Sequence, residues 1–213
     1  MRNRSQGFTL IEILVVITII AALAGAVMVL VPKIQEQQKK ASCADHLRQL
    51  GALYQTEVME RGGGRPRHNG VGYILNFRLS AARSIAKGQE EVFTCPGDPS
   101  ILVPKTEEER ARYDSVDLMD PDTDLCSYLV RDFKTYPMDA EALELQIIAA
   151  DRQSVDHRTA HHKGGINILY KDGSVKFTGR EELGMTADEK LVVGADSSNE
   201  MLRKLIYGEP RKE

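Results

Sequence analysis

The sequence predicts an α+β fold, in which one long N-terminal helix packs on a small antiparallel β-sheet domain. Three observations lead to this prediction. Residues 8–31 form an almost uninterrupted apolar run, residues 32–61 continue it with an amphipathic helical pattern, and residues 165–179 have the pattern of a β-hairpin. The predicted organisation is therefore a leader at 1–7, an apolar helix, its amphipathic continuation, and a globular domain at 62–213.

The composition is that of a mildly acidic chain. Its 213 residues include 28 lysines and arginines against 31 aspartates and glutamates, which gives a formal net charge of −3. Proteins that bind nucleic acid through its phosphates concentrate positive charge, so nucleic acid is not expected as a partner. The sequence has no nucleophile elbow and no phosphate-binding loop, and an enzymatic function is not predicted.

The apolar run from Phe8 to Val31 is long enough to cross a membrane as a helix. It has 24 residues with one charge, Glu12, and about 20 apolar residues span the hydrocarbon core. A cleaved secretory signal has a shorter apolar core of about 7–15 residues. Arg2 and Arg4 make the leader basic, so the positive-inside rule places the following domain outside the cytoplasm.

Pro32 is expected to end or kink the apolar run, because proline removes a helical hydrogen bond. Beyond it, an amphipathic helix is predicted to continue as far as the glycines at 62–64, which stop it. The apolar stripe of this helix would pack against the globular domain. The residues of the stripe are Ile34, Cys43, Leu47, Leu50, Tyr54 and Val58.

The globular domain is predicted to contain short strands joined by turns. The strongest signal is the hairpin at 165–179, where Asp172-Gly173 suits a type I′ turn. Further strands are expected at 91–94, 127–133 and 145–151. Shorter helices are expected near 79–86, 106–115 and 197–207.

The N-terminal string RSQGFTLIEILVVITII resembles the class III signal of type IV prepilins and type II secretion pseudopilins. In that family, prepilin peptidase cuts after the glycine and methylates the new terminus. The resemblance implies cleavage between Gly7 and Phe8, N-methylation of Phe8, and an assembly role for Glu12. A charge in an apolar medium is costly unless it is paired. Glu12 would therefore neutralise the amine of a neighbouring subunit and set the register of assembly.

A second resemblance extends through the globular domain. The string HKGGINILYKDG, from His162 to Gly173, resembles the H-x9-DG segment of a group of prepilin-type proteins. That group also has a Cys-Ala-x-x-Leu-Arg/Lys-Gln stretch, a Cys-Pro-x-Asp turn and a Ser-Tyr strand. They are matched here by CADHLRQ (43–49), CPGD (95–98) and SY (127–128), with Asp45-His46 in place of the usual asparagines. The two resemblances imply a pilin-like fold and together cover most of residues 1–178.

The three cysteines would lie outside the cytoplasm, where thiols can oxidise. Cys95 is expected to be one disulfide partner, with either Cys126 or Cys43 as the other. The sequence leaves this choice open because it gives no Cα separations.

Acidic and histidine side chains crowd residues 151–172. Imidazole and carboxylate groups ligate zinc, and calcium takes oxygen ligands. A zinc or calcium site is therefore hypothesised at Asp151, His157, His162 and Asp172. Their spacing matches no defined ligand motif, and Asp172 is already explained by its turn. The alternative is that His162 hydrogen-bonds across the hairpin while the other side chains are solvated.

These patterns predict a pilin-like or pseudopilin-like structural subunit. It would cross the inner membrane once, with its C-terminal domain in the periplasm, and its first partner would be prepilin peptidase. Like or related subunits would then join it in a type IV pilus-like filament, which can extend outside the cell, or in a type II secretion pseudopilus. The alternative hypothesis is a membrane-anchored periplasmic binding module that uses its hairpin to bind a metal or ligand and does not polymerise.

Overall fold

The chain is described by a computed structural model over most of its helix, sheet and C-terminal segment. Its contacts form two units, Met1–Gln38 and Lys39–Glu213, called here the N-terminal unit and the C-terminal unit. The residues described are 9–60, 90–98, 106–109, 111, 127–131, 136, 138–139, 146–151, 162, 164–186, 189, 191–194 and 196–206.

The long N-terminal helix is present as predicted. Helix α1 runs from Leu10 to Glu60 and includes Pro32 within its length. Pro32 therefore does not end the helix: proline deletes one backbone hydrogen bond, but its fixed φ is compatible with helical geometry. The glycines at 62–64, which were expected to stop the helix, lie outside the described residues.

The N-terminal unit exposes its apolar side chains. Leu10 is 81% exposed, Leu23 is 62% exposed and Met28 is 77% exposed. By length and composition, α1 is the one helix in the described part of the chain that could cross a membrane. Within the described part of this unit, residues 9–38, these side chains have no core to pack into, so its surface is that of a segment that functions in an apolar environment.

The second half of α1 buries the predicted apolar stripe. Cys43, Leu47, Leu50 and Tyr54 are all buried in the core. Ile34 is half exposed, so the stripe begins later than predicted. The side chain of Val58 lies outside the description.

The C-terminal unit contains a five-stranded antiparallel sheet with the strand order β4-β3-β2-β1-β5. A short helix, α2, precedes the last strand. The strands are β1 (Tyr128–Arg131), β2 (Ile147–Asp151), β3 (Gly165–Tyr170), β4 (Val175–Gly179) and β5 (Leu205–Ile206), and α2 covers Glu200–Arg203. The α+β prediction is confirmed. The strands expected at 127–133 and 145–151 are present as β1 and β2, and residues 132–133 and 145 lie outside the described residues.

Both faces of the sheet are covered. Ile148 and Leu169 share one core cluster with the buried stripe of α1. Ile166 and Ile168 share a second cluster with the C-terminal segment, including Leu202. Every residue of β3 is buried for this reason, since a strand covered on both faces loses the alternation of a half-exposed one. The last part of the chain, which matched no known pattern, thus covers the second face.

Polar contacts also connect the second half of α1 to the rest of the C-terminal unit. The Asn167 side-chain amide donates to Lys40 O at 3.3 Å, and the Gln55 side-chain amide donates to Lys171 O at 2.8 Å. The Lys40 ammonium lies 4.3 Å from the centre of the Phe177 ring, within the range of a cation–π contact. These contacts hold the second half of α1 against β3, β4 and the loop between them.

The hairpin at 165–179 is confirmed, but its turn is longer than predicted. The Gly173 N–H donates to Tyr170 O at 3.0 Å, and the Tyr170 N–H donates to Ser174 O at 2.9 Å. This is a three-residue loop rather than a two-residue type I′ turn. Gly173 has a φ of 82°, the left-handed conformation that the closing residue of such a loop adopts.

Two other local predictions are wrong. Residues 91–94 were expected to form a strand, but Glu90–Phe93 form a turn of 3-10 helix. The helix expected at 197–207 covers only Glu200–Arg203, because Leu205 pairs with Arg131 at the edge of the sheet instead. Of the remaining predictions, residues 107–109 are helical, and the helix near 79–86 lies outside the described residues.

Candidate functional site

Four chemically reactive side chains converge between α1 and the sheet. Cys43 lies on α1, Cys95 follows the 3-10 helix, Asp151 ends β2, and His162 precedes β3. Each of the four is at most 1% exposed. One ligand atom from each residue lies within 4.8 Å of the others. We call this group the buried tetrad.

The tetrad is held by short contacts. Cys43 Sγ lies 2.8 Å from Asp151 Oδ1. Cys95 Sγ lies 3.2 Å from His162 Nε2, and the same nitrogen lies 3.7 Å from Asp151 Oδ2. The Asp151 carboxylate therefore contacts both Cys43 and His162.

Hydrogen-bond donors surround the tetrad. The Asn167 N–H donates to Asp151 Oδ2 at 2.7 Å, and the Gly97 N–H donates to Cys95 Sγ at 3.3 Å. The Tyr128 hydroxyl lies 3.5 Å from Cys43 Sγ and donates to Thr94 O at 3.1 Å. The turn at 95–98, predicted from its sequence, is closed by the Asp98 N–H donating to Cys95 O at 2.8 Å. These backbone contacts fix the directions of the sulfur and the carboxylate.

Burial and mutual contact shift the acidities of the tetrad. Burial raises the pKa of the Asp151 carboxyl to about 6, and negative charge on Cys95 adds to the increase. The hydrogen bond from Cys43 lowers the pKa of the Cys95 thiol to about 5, with His162 also contributing. Burial raises the pKa of the Tyr128 hydroxyl. Cys95 is therefore the favoured position for a thiolate, next to an imidazole.

The tetrad offers a limited range of chemistry. Cys43 and Cys95 are free thiols whose sulfur atoms lie within 4.8 Å of each other, a short enough distance for a disulfide to form after small movements. All four groups are of types that ligate metals. Side chains this deeply buried cannot reach a dissolved substrate, which disfavours a role in nucleophilic catalysis. The arrangement is suited to joining segments of the fold.

The structure brings together only part of the metal site predicted from sequence. Asp151 and His162 lie in the tetrad. Asp172 is exposed and accepts hydrogen bonds from Ser174 N at 2.9 Å and from the Ser174 hydroxyl at 2.6 Å. His157 lies outside the described residues, as does Cys126, so the disulfide choice remains a prediction. His162 contacts Cys95 and Asp151 through Nε2.

Sequence reasoning missed Cys43 and Cys95 as companions of Asp151 and His162. Zinc motifs are found in sequences by short, regular ligand spacings, and no such spacing connects these four positions. One signal was available. The four strings that carried the second resemblance each contribute a residue to the tetrad or to its immediate surroundings, namely Cys43, Cys95, Tyr128 and His162.

In the N-terminal unit, Glu12 caps its own helix. The Thr9 N–H and hydroxyl each donate to Glu12 Oε2 at 2.7 Å, and the Glu12 N–H donates to Thr9 Oγ1 at 3.3 Å. This reciprocal pattern is a capping box. It gives Glu12 a local partner that sequence reasoning had not considered. Gly7 and Phe8 lie outside the described residues, so the cleavage site remains a prediction.

Comparison with known proteins identifies the N-terminal region alone. Residues 2–28 match the family described as the prokaryotic N-terminal methylation motif. The match supports a prepilin-like N-terminus that is processed and methylated. No curated protein and no solved structure matches the chain.

Proposed function

We propose that this chain is a pilin-like or pseudopilin-like structural subunit of the H-x9-DG prepilin-type group. Prepilin peptidase would cleave it between Gly7 and Phe8 and methylate Phe8. The mature chain would then join like or related subunits in a type IV pilus-like filament or a type II secretion pseudopilus. Its C-terminal unit would lie in the periplasm until assembly. The proposed activity is assembly and not catalysis.

The observation that carries this proposal is the coincidence of a processing motif with an unpartnered apolar helix. The methylation motif covers residues 2–28, and the same part of α1 exposes large apolar side chains from Leu10 to Val31. Lipid can cover this surface in the precursor. In a filament, the corresponding helices of neighbouring subunits would cover it instead.

Glu12 has a proposed role that changes on assembly. In the single chain, its carboxylate accepts hydrogen bonds from Thr9. Cleavage before Phe8 would create a positive amine at the start of each helix. In an apolar bundle, the carboxylate of one subunit would pair with the amine of the next. A misplaced subunit would leave a charge unpaired, so the pair would select one register.

A pair of substitutions separates the capping role of Glu12 from its charge. Glu12→Gln keeps a side-chain oxygen that can complete the capping box but removes the charge. Breaking a buried ion pair costs about 3–5 kcal/mol, so incorporation into sedimentable filaments should fall more than about a hundredfold. Glu12→Ala should lose incorporation to at least the same degree, and both variants should still insert into the membrane.

The matched control is Asp45→Asn, an equivalent charge removal on the same helix. Asp45 is exposed and accepts a hydrogen bond from Gln49, so its loss should leave incorporation unchanged. If Glu12→Gln assembles like the wild type while Glu12→Ala fails, Glu12 acts only as a cap, and the register role is wrong.

The alternative function is a membrane-anchored periplasmic binding module that does not polymerise. The buried tetrad supports it by supplying metal-ligand groups. However, groups that are at most 1% exposed are placed to stabilise the fold and not to capture a dissolved ligand. The alternative predicts that cross-linking in native membranes yields only monomers, whereas the subunit proposal predicts ladders of cross-linked chains that disappear in Glu12→Gln.

A further inference from the structure

We propose that Cys43, Cys95, Asp151 and His162 bind one zinc ion in tetrahedral coordination, and that this ion joins α1 to the sheet. The inference concerns the C-terminal unit alone and does not depend on filament assembly. It replaces the ligand set expected from sequence with one in which two thiolates take the places assigned to His157 and Asp172.

The distances within the tetrad suit a single small cation. Zinc bonds of about 2.0–2.3 Å in tetrahedral geometry separate neighbouring ligand atoms by about 3.3–3.8 Å. The Cys95 Sγ to His162 Nε2 distance is 3.2 Å, and the His162 Nε2 to Asp151 Oδ2 distance is 3.7 Å. Cys43 Sγ is closer to Asp151, at 2.8 Å from Oδ1. All four ligand atoms fall within 4.8 Å of one another, so small side-chain adjustments complete the geometry.

The ligand types select zinc over the other ion suggested by the sequence. Calcium takes about six to eight oxygen ligands, and the tetrad offers one carboxylate. Thiolate, imidazole and carboxylate groups all ligate zinc, and structural zinc sites are four-coordinate and closed to water. Their near-complete burial fits a structural site, which needs no open position for a substrate.

The charge balance of the tetrad also fits a divalent cation. Two thiolates and a carboxylate carry three negative charges, and zinc reduces the net charge to one negative, as in sites with three cysteines and one histidine. Nearby donors support the charged ligands. The Gly97 N–H donates to Cys95 Sγ, and the Asn167 N–H donates to Asp151 Oδ2. Outer donors of this kind orient metal ligands and tune their affinity.

A disulfide between Cys43 and Cys95 explains the tetrad less completely. It would use both sulfurs but would remove the Cys43 thiol that contacts Asp151 Oδ1. The fully buried carboxylate would then lose one of its contacts, and burying a carboxylate with fewer partners is costly. A metal ion engages all four groups at once. We therefore commit to the metal, and the experiment below treats the disulfide as an outcome that overturns it.

A zinc ion at the tetrad would connect four distant segments of the chain. It would join α1 to the 95–98 turn, to the end of β2 and to the residue that leads into β3. Because ligands converge only in the folded chain, metal binding would stabilise the folded state directly. The position of α1 on the sheet would then depend on metal supply in the compartment where the C-terminal unit folds.

The test uses the full-length chain, purified in detergent without a polyhistidine tag. The expected result is one zinc per chain by elemental analysis. Replacement with cobalt should give the visible bands of a tetrahedral ion together with sulfur-to-cobalt charge transfer, which requires thiolate ligands. Chelation should lower the thermal midpoint of the C-terminal unit, and added zinc should restore it.

Matched variants assign the ligands. Asp151→Asn and His162→Gln should each lower zinc affinity by at least about tenfold to a hundredfold, since even second-shell changes have effects of that size. Asp172→Asn makes the same chemical change as Asp151→Asn at an exposed carboxylate and should retain wild-type affinity. Zinc binding that survives in both Asp151→Asn and His162→Gln overturns the proposal.

Wild-type measurements decide the question if the ligand variants do not fold. Native alkylation followed by peptide mapping should show Cys43 and Cys95 protected in the zinc-loaded chain and modified after chelation. A chain with reduced thiols that binds neither zinc nor cobalt contradicts the proposal. So does a Cys43–Cys95 disulfide as the predominant form in protein isolated from cells.

Discussion

The two halves of α1 belong to one continuous helix but are built for different surroundings. In the N-terminal unit, Leu23 is 62% exposed, while in the C-terminal unit Leu47 is fully buried. Both are leucines in the middle of a helix, and neither position is distinguished by local helix propensity. This difference indicates that the first half of α1 makes its apolar contacts outside its own chain, whereas the second half completes the core of the C-terminal unit.

The largest expected effect on stability comes from making the same leucine-to-alanine substitution in each half of α1. Leu47→Ala removes a fully buried side chain and should lower the free energy of unfolding of the C-terminal unit by about 2–5 kcal/mol. Leu23→Ala should change it by less than about 0.5 kcal/mol, because that side chain has no core to leave. Thermal unfolding followed by the tyrosine near-ultraviolet signal, on the full chain in detergent, measures both. Equal losses in the two variants would show that the halves do not differ in this way.

A smaller effect is expected from the two glycines of the same helix. A Cβ added at Gly51 would lie 2.9 Å from Leu169 Cδ1, while at Gly25 no heavy atom lies within 4 Å. Overpacking costs about 1–3 kcal/mol, partly offset by the gain of about 0.5–1 kcal/mol from replacing glycine in a helix. Gly51→Ala should therefore destabilise the C-terminal unit by about 1 kcal/mol.

Gly25→Ala is the control for that substitution. It should leave the unfolding of the C-terminal unit unchanged, because Gly25 has free space around it and belongs to the N-terminal unit. A lower midpoint for Gly25→Ala than for Gly51→Ala would contradict the packing described for Leu169.

The elements of this fold that could be predicted from the sequence are those with a local pattern of residues. The long helix and the 165–179 hairpin are found because their patterns are local and strong. The edge strand at Leu205–Ile206 was missed because its conformation comes from pairing with β1, a contact between distant parts of the chain. Local preference for helix in that segment is overridden by tertiary pairing.

The residues of the candidate sites also differ in whether local sequence could identify them. Asp151 and His162 were suspected because they are neighbours in a crowded stretch, and Glu12 because it interrupts an apolar run. The participation of Cys43 and Cys95 follows only from the way α1 and the 95–98 turn meet the sheet. Asp172 lies outside the tetrad, and its carboxylate accepts hydrogen bonds from Ser174 within its own turn.

The smallest predicted effect concerns that same carboxylate. The hydrogen bonds from Ser174 hold the pKa of Asp172 below its usual value, which is about 3.9 in an unfolded chain. A lowered pKa in the folded state gives stability that is present above the unfolded value and is lost as the pH falls through the folded value. Asp172→Asn should therefore slightly flatten the loss of stability below about pH 4.

This substitution sharpens the contrast between the two exposed carboxylates. Asp172 is satisfied within its own turn, so its removal should change acid stability alone and leave filament incorporation intact. Glu12 also has a local partner, in Thr9, but is proposed to exchange it for a neighbouring subunit. Acid unfolding curves of Asp172→Asn that match the wild type at every pH would show that the Ser174 contacts contribute nothing measurable.

The central claim is that the chain is cut before Phe8 and that neighbouring subunits then cover the apolar surface of the first half of α1. Mass spectrometry of the N-terminal peptide, from protein isolated from its native membranes, tests this most directly. The account predicts a chain that begins at Phe8 with a methylated amine. A chain that retains Met1, or one that begins at any residue after Phe8, would contradict it.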